Sequence, residues 1–404
     1  MERPVTMRGT PQAMRAINDG SALRLLLEHG RLSRTELGTL TGLSKPTASQ
    51  TLTRLERAGL VVSVGLSALG TPGRAAELYE INPTAGYAVG FDVEPGVIRA
   101  AAVDLSGQIV AQVQVARKPG EGDAVVHVTR AYTELLAAAR MTPDQVGSAV
   151  LGVQAGYDPA AKALRHAKHL PGWQGPDLRD RLTAALGTGV EIENDVNLVA
   201  LAEYASGASA GTMTSVLLWS GSGVGAAVLI DGRLHRGATG SAGEVGYIPV
   251  PGQPLHAPAG RKSAGGFDRS CSAAAIRELG RSLGLHGTGP VRMVQSALAG
   301  SRGGEEFLDA LAERYATGLT AIIAVIDPEV VILGGPILQA GGEQLRTRVA
   351  TTVAQLGMRP VPTRLGLMVD QPVLTGSCRV ALSALRDAIF ANPIRPAAAP
   401  RENR

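Results

Sequence analysis

Apolar side chains recur at helical spacing in "NDGSALRLLLEHG", where Leu23, Leu26 and Leu27 share one face and Gly30 ends the run. In "LSRTELGTLTGL", Ser33 and Glu36 have the S-x-x-E spacing of a capping box and predict a second helix. A third is predicted over "GLSKPTASQTLTRLERAGLV", with Ser44 as N-cap, Pro46 tolerated in the first turn and Gly59 beyond the end. Within it Ala48, Leu52 and Leu55 fall at i, i+4 and i+7 and face a core, which places Thr47, Gln50, Thr51 and Arg54 on the outward face. The period then drops towards two in "LVVSVGLSALGTPGRAAELYEINP", the pattern of a hairpin with Arg74 near its tip, and "INPTAG" reads as a linker.

From Tyr87 onward short β-prone runs take over. "YAVGFDV", "VIRAAAVDL" and "IVAQVQV" predict successive strands with turns at Pro95–Gly96 and Ser106–Gly107. A helix around Asp123 to Arg140 leads into the strand "VGSAVLGVQ", and another strand reaches Asp195. "SVLLWS" and "GAAVLI" repeat the hairpin character, "VVILGG" ends one more strand, and a last helix is predicted from Gly376 to Phe390. The expected organisation is a basic arm over 1–17, a small helical head with its hairpin over 18–83, a two-lobed α/β body over 86–391, and a disordered Pro/Ala/Arg tail over 392–404.

Composition narrows this reading. A chain of 404 residues is too long for one ordinary core, and 45% apolar with only 3% aromatic residues suits tightly packed α/β layers. The net charge of +4 is far from a histone-like excess, but nine basic side chains from Arg3 to Arg57 stand against five acidic ones in the first 60 residues. Cys271 and Cys378 lie far apart without CxxC or His-rich context, which argues against a disulfide framework or a cysteine metal site and for two small buried hydrophobes. No signal-peptide pattern and no apolar run of about 18 residues is seen, so a soluble, cytoplasmic protein without membrane partners is expected.

A slim helix with a polar, partly cationic face fits the major groove. There Gln contacts adenine edges, Arg reaches guanine or phosphate, and Thr touches a thymine methyl or the backbone. Lys45 and Arg74 would add phosphate or minor-groove contacts. Any amphipathic surface helix has a polar face, but three helices followed by a hairpin resemble the winged helix-turn-helix of bacterial regulators, which implies double-stranded operator DNA as partner.

Three body segments, "LRHAKHLPGW", "IENDVN" and "GVGAAVLIDGRLHRGATGSAGEVGY", resemble the ROK family, named for repressors, open reading frames and kinases. The resemblance spans essentially the whole chain. It implies an actin-like (ribonuclease H-like) body of two lobes with a sugar cleft between them, and a choice between sugar kinase and sugar-responsive regulator. In family kinases the first strand of the body leads into an Asp-x-Gly-Gly-Thr turn whose N–H groups approach the ATP phosphates. Here "GFDVEPGVIRAA" keeps Asp92 but has Glu94, Pro95 and Gly96 where Gly, Gly and Thr would stand. Glu94 sets a carboxylate against phosphate, Pro95 deletes a donor and Gly96 lacks the hydroxyl, so phosphoryl transfer is expected to be lost.

The same resemblance assigns the sugar contacts. Asp195 matches the kinases' base and Asn194 its hydroxyl-binding neighbour; without ATP both still hold a sugar, and capping of the following helix is their alternative role. Glu244 matches a sugar-contacting Glu, Tyr247 replaces a His that touches sugar and zinc, and His169 stands where Asn is usual. Asp268 falls at a second sugar-binding Glu, with a helix N-cap as its alternative. The family's three zinc cysteines align with Ala259, Arg261 and Gly266, so no zinc is expected. His166, His235 and His256 lack ligand spacing, and the glycines of "SGSGVGAAV" are read as serving a tight hairpin rather than a nucleotide phosphate.

Together these readings predict a regulator of carbohydrate metabolism, a repressor by resemblance, with no catalytic residue, cofactor or metal. It would be a homodimer or dimer of dimers whose sugar or sugar-phosphate effector binds between the lobes. A sugar kinase with an added DNA-binding head, or a ligand-independent regulator whose body only dimerises, are the rival readings.

Overall fold

Ser33 and Glu36 form the expected capping box: the Ser33 hydroxyl accepts the Glu36 N–H at 3.3 Å, and the Glu36 carboxylate accepts the Ser33 N–H at 2.8 Å. In the computed structural model, which describes residues 11–66, 76–117, 122–165, 167, 170–253, 265–357 and 359–391, this box opens the second helix of a small head. The head comprises α1 (Pro11–His29), β1 (Leu32–Ser33), α2 (Arg34–Thr41), α3 (Lys45–Arg57), β2 (Val61–Leu66) and β3 (Glu77–Ile81). The strands form an antiparallel sheet in the order β1-β3-β2. Gly42, at φ 71°, takes the left-handed conformation that turns the chain from α2 into α3. Helix α1 begins at Pro11, so residues 11–17, expected in an N-terminal arm, extend the first helix instead.

The body repeats one strand order twice. Its first sheet is built from β4 (Tyr87–Glu94), β5 (Val97–Asp104), β6 (Ile109–Ala116), β7 (Val146–Val153) and β10 (Val190–Asn194), in the order β10-β7-β4-β5-β6. The antiparallel meander β4–β5–β6 is continued by β7 and β10 running parallel to β4. A two-stranded ribbon, β8 (Gly156–Asp158) with β9 (Ala163–Arg165), and helices α4 (Ala124–Ala139) and α5 (Leu178–Leu186) complete this lobe. After α6 (Asp195–Ser206), the second sheet takes β11 (Ser215–Ser220), β12 (Val224–Ile230), β13 (Arg233–Leu234), β14 (Val330–Gly334) and β15 (Thr363–Leu365) in the order β13-β12-β11-β14-β15, with the same mixture of antiparallel and parallel pairs. Helices α7 (Gly266–Cys271), α8 (Ala273–Ser282), α9 (Pro290–Leu298), α10 (Gly304–Ile326) and α11 (Pro336–Gln355) pack on it. The last helix, α12 (Pro372–Ala391), returns to the first lobe and begins one turn earlier than the expected Gly376.

The outer face of the first sheet packs with α4 and α5 around Phe91, Leu135, Leu151 and Trp173, and the second lobe has its own core around Phe267, Phe307, Tyr315 and Leu333. A third cluster joins the head to the body: Leu23, Leu26, Leu37, Leu52 and Tyr79 are continuous with Ala101, Leu374, Leu382, Leu385 and Phe390. Cys271 and Cys378 are buried and unpaired. Among the described residues no helix is long and apolar enough to cross a membrane.

Candidate functional site

Helix α3 starts where its sequence directs it. Ser44 caps it by accepting the Thr47 N–H at 3.4 Å, Pro46 occupies the first turn, and Ala48, Leu52 and Leu55 are buried against α1 and α2. Lys45 and Gln50 are exposed; Thr47 is half-buried, with its hydroxyl 2.8 Å from that of Ser44. Two expected members of the outward face lie elsewhere. Thr51 is fully buried, and Arg54 turns inward to pair bidentately with Asp19 of α1, at 2.5 and 3.3 Å, while also donating to the Thr51 hydroxyl at 3.0 Å. Arg54, about 125° from the centre of the apolar stripe, is drawn in by Asp19. For Thr51 the reason is angular. At about 100° per residue, position 51 lies only about 65° from the centre of the Ala48–Leu52–Leu55 stripe, whereas 46, 50, 53 and 57 lie opposite. The exposed residues of α3 are Lys45, Pro46, Gln50, Glu56 and Arg57, with Ser49 and Thr53 half-buried beside them. Arg57 and Thr53 were missed, although the same arithmetic finds them. Arg74 lies outside the described residues.

The second constellation lies between the lobes. A cavity of about 700 Å³ is lined by Asp92, Glu94 and Arg99 from the β4–β5 hairpin, by Gln154, by Asn194 and Asp195, by Glu244, and by Trp219, Gly221–Gly225 and Pro336 of the second lobe. Gln371, Pro372 and Val373 at the start of α12 complete it. The expected trio Asn194, Asp195 and Glu244 thus meets in one cavity. Asn194 ends β10 and caps α6, its side-chain oxygen accepting the N–H groups of Val196 at 3.0 Å and Asn197 at 3.2 Å. Both the capping role and the cleft position hold for this residue. Asp195 opens α6 and accepts the Val196 N–H at 2.9 Å.

Crowding by protein and by like charge shapes the carboxylates here. Burial pushes the Asp195 carboxyl up to about 7, against the lowering effect of the Val196 N–H, and the neighbouring charges of Asp92 and Glu244 add to the rise. Burial and the Glu94 charge raise Asp92 to about 6, in spite of Arg99. Arg99 was not anticipated. Its guanidinium spans both carboxylates, at 2.7 Å from Glu94 and 3.2 Å from Asp92. The signal was available: a two-residue turn at Pro95–Gly96 sets Asp92 directly opposite Arg99, with Glu94 on the same strand face as Asp92. The turn expected to present an unneutralised Glu94 carboxylate therefore carries an ion-paired triad. Arg117 fixes it from behind by donating to the Pro95 carbonyl at 2.9 Å.

The remaining assignments scatter. Asp268, at the third position of α7, neither lines the cavity nor caps its helix; Gly265 is the N-cap, and Asp268 accepts the Val224 N–H at 3.1 Å, pinning the start of β12. Tyr247 is 48% exposed and also lies outside the cavity lining. His169, His166 and His256, and positions 259 and 261, fall outside the described residues; Gly266 opens α7. Gly221 and Gly223 form the tight β11–β12 turn, the Gly221 N–H donating to the Gly223 carbonyl at 3.0 Å, and a Cβ on Gly223 would lie 2.8 Å from the Asp268 carboxylate. Those glycines serve the hairpin.

Comparison with known proteins supplies the family. The ROK family model matches residues 88–369 and a MarR family model matches residues 17–66. A xylose repressor of Caldicellulosiruptor bescii is 26% identical over 343 residues, covering 81% of this chain and 84% of its own length. The crystal structure of a ROK family transcriptional regulator, described as a homologue of the E. coli MLC protein, superposes with a TM-score of 0.74 at 19% identity, covering 93% of this chain and 98% of that one. A ROK hexokinase from Thermus thermophilus covers 74% of this chain and 99% of its own, at 25% identity and a TM-score of 0.61. With the twice-repeated sheet, the cleft between its lobes and a family model matching most of the body, the chain belongs to the ROK family and carries a winged-helix head in front of that body.

Proposed function

We propose that the chain is a DNA-binding transcriptional repressor of carbohydrate metabolism, controlled by a sugar that binds between the lobes and is not phosphorylated there. The loss of chemistry rests on one observation, the Arg99 guanidinium bridging Asp92 and Glu94. Satisfied by two carboxylates, this cation has little attraction left for a phosphate, and Pro95 beside it offers no N–H. The winged-helix head and the relatives named as xylose repressors support the regulatory role. Asn194, Asp195 and Glu244 offer the polar groups that hydroxyls need. Among the described residues of the lining, four carboxylates, Asp92, Glu94, Asp195 and Glu244, stand against the one guanidinium of Arg99, which favours an uncharged sugar over a sugar phosphate. In a homodimer two α3 helices would meet the halves of an inverted repeat, with Lys45, Gln50 and Arg57 as the principal contacts. Sugar shifts this binding only through its differential affinity for two arrangements of lobes and heads.

A sugar kinase with an added DNA-binding head is the second reading, favoured by the Asp195 carboxyl at about 7, the range that suits a general base. Calorimetry with D-xylose and a panel of other mono- and disaccharides, beside an ATP-coupled turnover assay, separates the two. Binding of at least one sugar, weakened tenfold or more by Asp195→Ala, with no ADP released, is expected. ADP formation that Asp195→Asn abolishes would establish the kinase, and silence with every sugar would discard the effector.

A further inference from the structure

Two neighbouring residues of α1 grip opposite partners. Asp19, with no exposed surface, holds Arg54 of the recognition helix α3 through both carboxylate oxygens. Gly20, the next residue, lies flush against the last turn of α12: a Cβ there would come 2.6 Å from the Phe390 carbonyl oxygen. The other end of α12 lines the cleft through Gln371, Pro372 and Val373. Between its ends the helix sits in close-fitting notches. A Cβ on Gly376 would lie 2.3 Å from the Leu198 carbonyl of α6, the helix that begins at Asp195, and one on Gly90 of β4 would lie 2.5 Å from the Cys378 nitrogen. Contacts of this tightness transmit displacement rather than absorbing it.

We propose that Asp19 and Arg54 are positioning residues for DNA reading. They fix the seating of α3 on α1, and α12 sets α1 according to the state of the cleft. Burial supports this role for the pair. Arg54 keeps a quarter of its side chain exposed but spends its guanidinium on Asp19 and Thr51, so it acts on DNA through the pose of Gln50 and Arg57 rather than by touching bases. The link to sugar rests on the reading of the cleft given above, while the link from α12 to α3 does not.

The test uses the full-length protein and three variants, Asp19→Asn, Gly20→Ala and Arg54→Met. Trp219 lines the cleft and the other tryptophan, Trp173, is fully buried, so indole fluorescence reports D-xylose binding. Anisotropy with a duplex from upstream of the protein's own gene reports DNA affinity. D-Xylose is expected to change wild-type DNA affinity tenfold or more. Asp19→Asn and Gly20→Ala should bind D-xylose within twofold of wild type yet change DNA affinity less than twofold when it is added. Retention of the wild-type ratio by both variants would overturn the proposal, since a merely structural role lowers both affinities and leaves their ratio intact. Should D-xylose give no fluorescence response in the wild type, the sugar reading is at fault in that form, and hydrogen exchange without sugar decides the present one. Asp19→Asn and Arg54→Met should then raise exchange in residues 45–57, and Gly20→Ala should raise it both there and at residues 372–374, at the far end of α12. Exchange confined to α1 in Gly20→Ala would sink the relay.

Discussion

Asp195 carries its charge reluctantly, and that has a consequence for stability. Its carboxyl titrates near 7 in the folded protein, against about 3.9 in an unfolded chain, so between these values the native state holds the extra proton. Stability from this group therefore falls as pH rises from about 4 to 7, and the penalty is complete above 7. Asp195→Asn removes it: thermal and urea unfolding should show the variant stabilised by roughly 1–3 kcal/mol at pH 8 and little changed at pH 4. A second contrast lies on the recognition helix. Gln50→Ala should weaken binding to the operator about tenfold or more and leave nonspecific duplex binding nearly untouched, whereas Arg57→Ala should weaken both and lower the salt slope by about one. Thr51→Val, at a buried position, should leave the DNA affinity of the folded protein close to wild type and instead lower the melting temperature, because the Arg54 guanidinium loses an acceptor. These residues also mark how far sequence reasoning reaches. Gln50 was legible because it lies directly opposite the apolar stripe; Thr51 sits at its margin, and Arg54, well away from it, is turned inward by the identity of a neighbour. That neighbour, Asp19, lies on another helix and carries no local sign of its partner.

Single elements were legible in proportion to their local punctuation. The capping box at Ser33 and the Ser44 cap each gave a helix start that the structure repeats, and the helix expected around Asp123 to Arg140 runs from Ala124 to Ala139 with Asp123 as its N-cap. Helix α1 was begun too late because "PQAMRAIND" has no apolar stripe; its first two turns expose Met14 and Ile17, so burial leaves no periodic trace there. Helix α12 is shaped by its glycine contacts as much as by its leucines. Gly376→Ala places a methyl against the Leu198 backbone, and no flexible side chain can yield there. Destabilisation of about 1–3 kcal/mol is expected, readable as a lowered melting temperature, and, on the proposed function, weakened sugar binding, because α6 begins at Asp195 and is capped by Asn194.

On the scale of the whole molecule, two lobes with a cleft between them could be inferred from the alternation of strands and helices and from the resemblance of three segments. The junction of head and body could not, because Leu23 and Leu26 meet Leu385 and Phe390 from nearly opposite ends of the chain. Each such leucine contributes roughly 1.5–3 kcal/mol through burial. The body expressed without residues 1–81 should therefore melt several degrees lower than the full chain and lose exchange protection in the last two turns of α12. Calorimetry of the intact protein should show no separate early transition for the head. This shared core also dictates how such a regulator can be re-engineered. A foreign reading head grafted at the linker around Pro83 would bring an α1 cut to another protein's contours, and a transplant that keeps its response must exchange α1 and the closing turns of α12 as one matched piece.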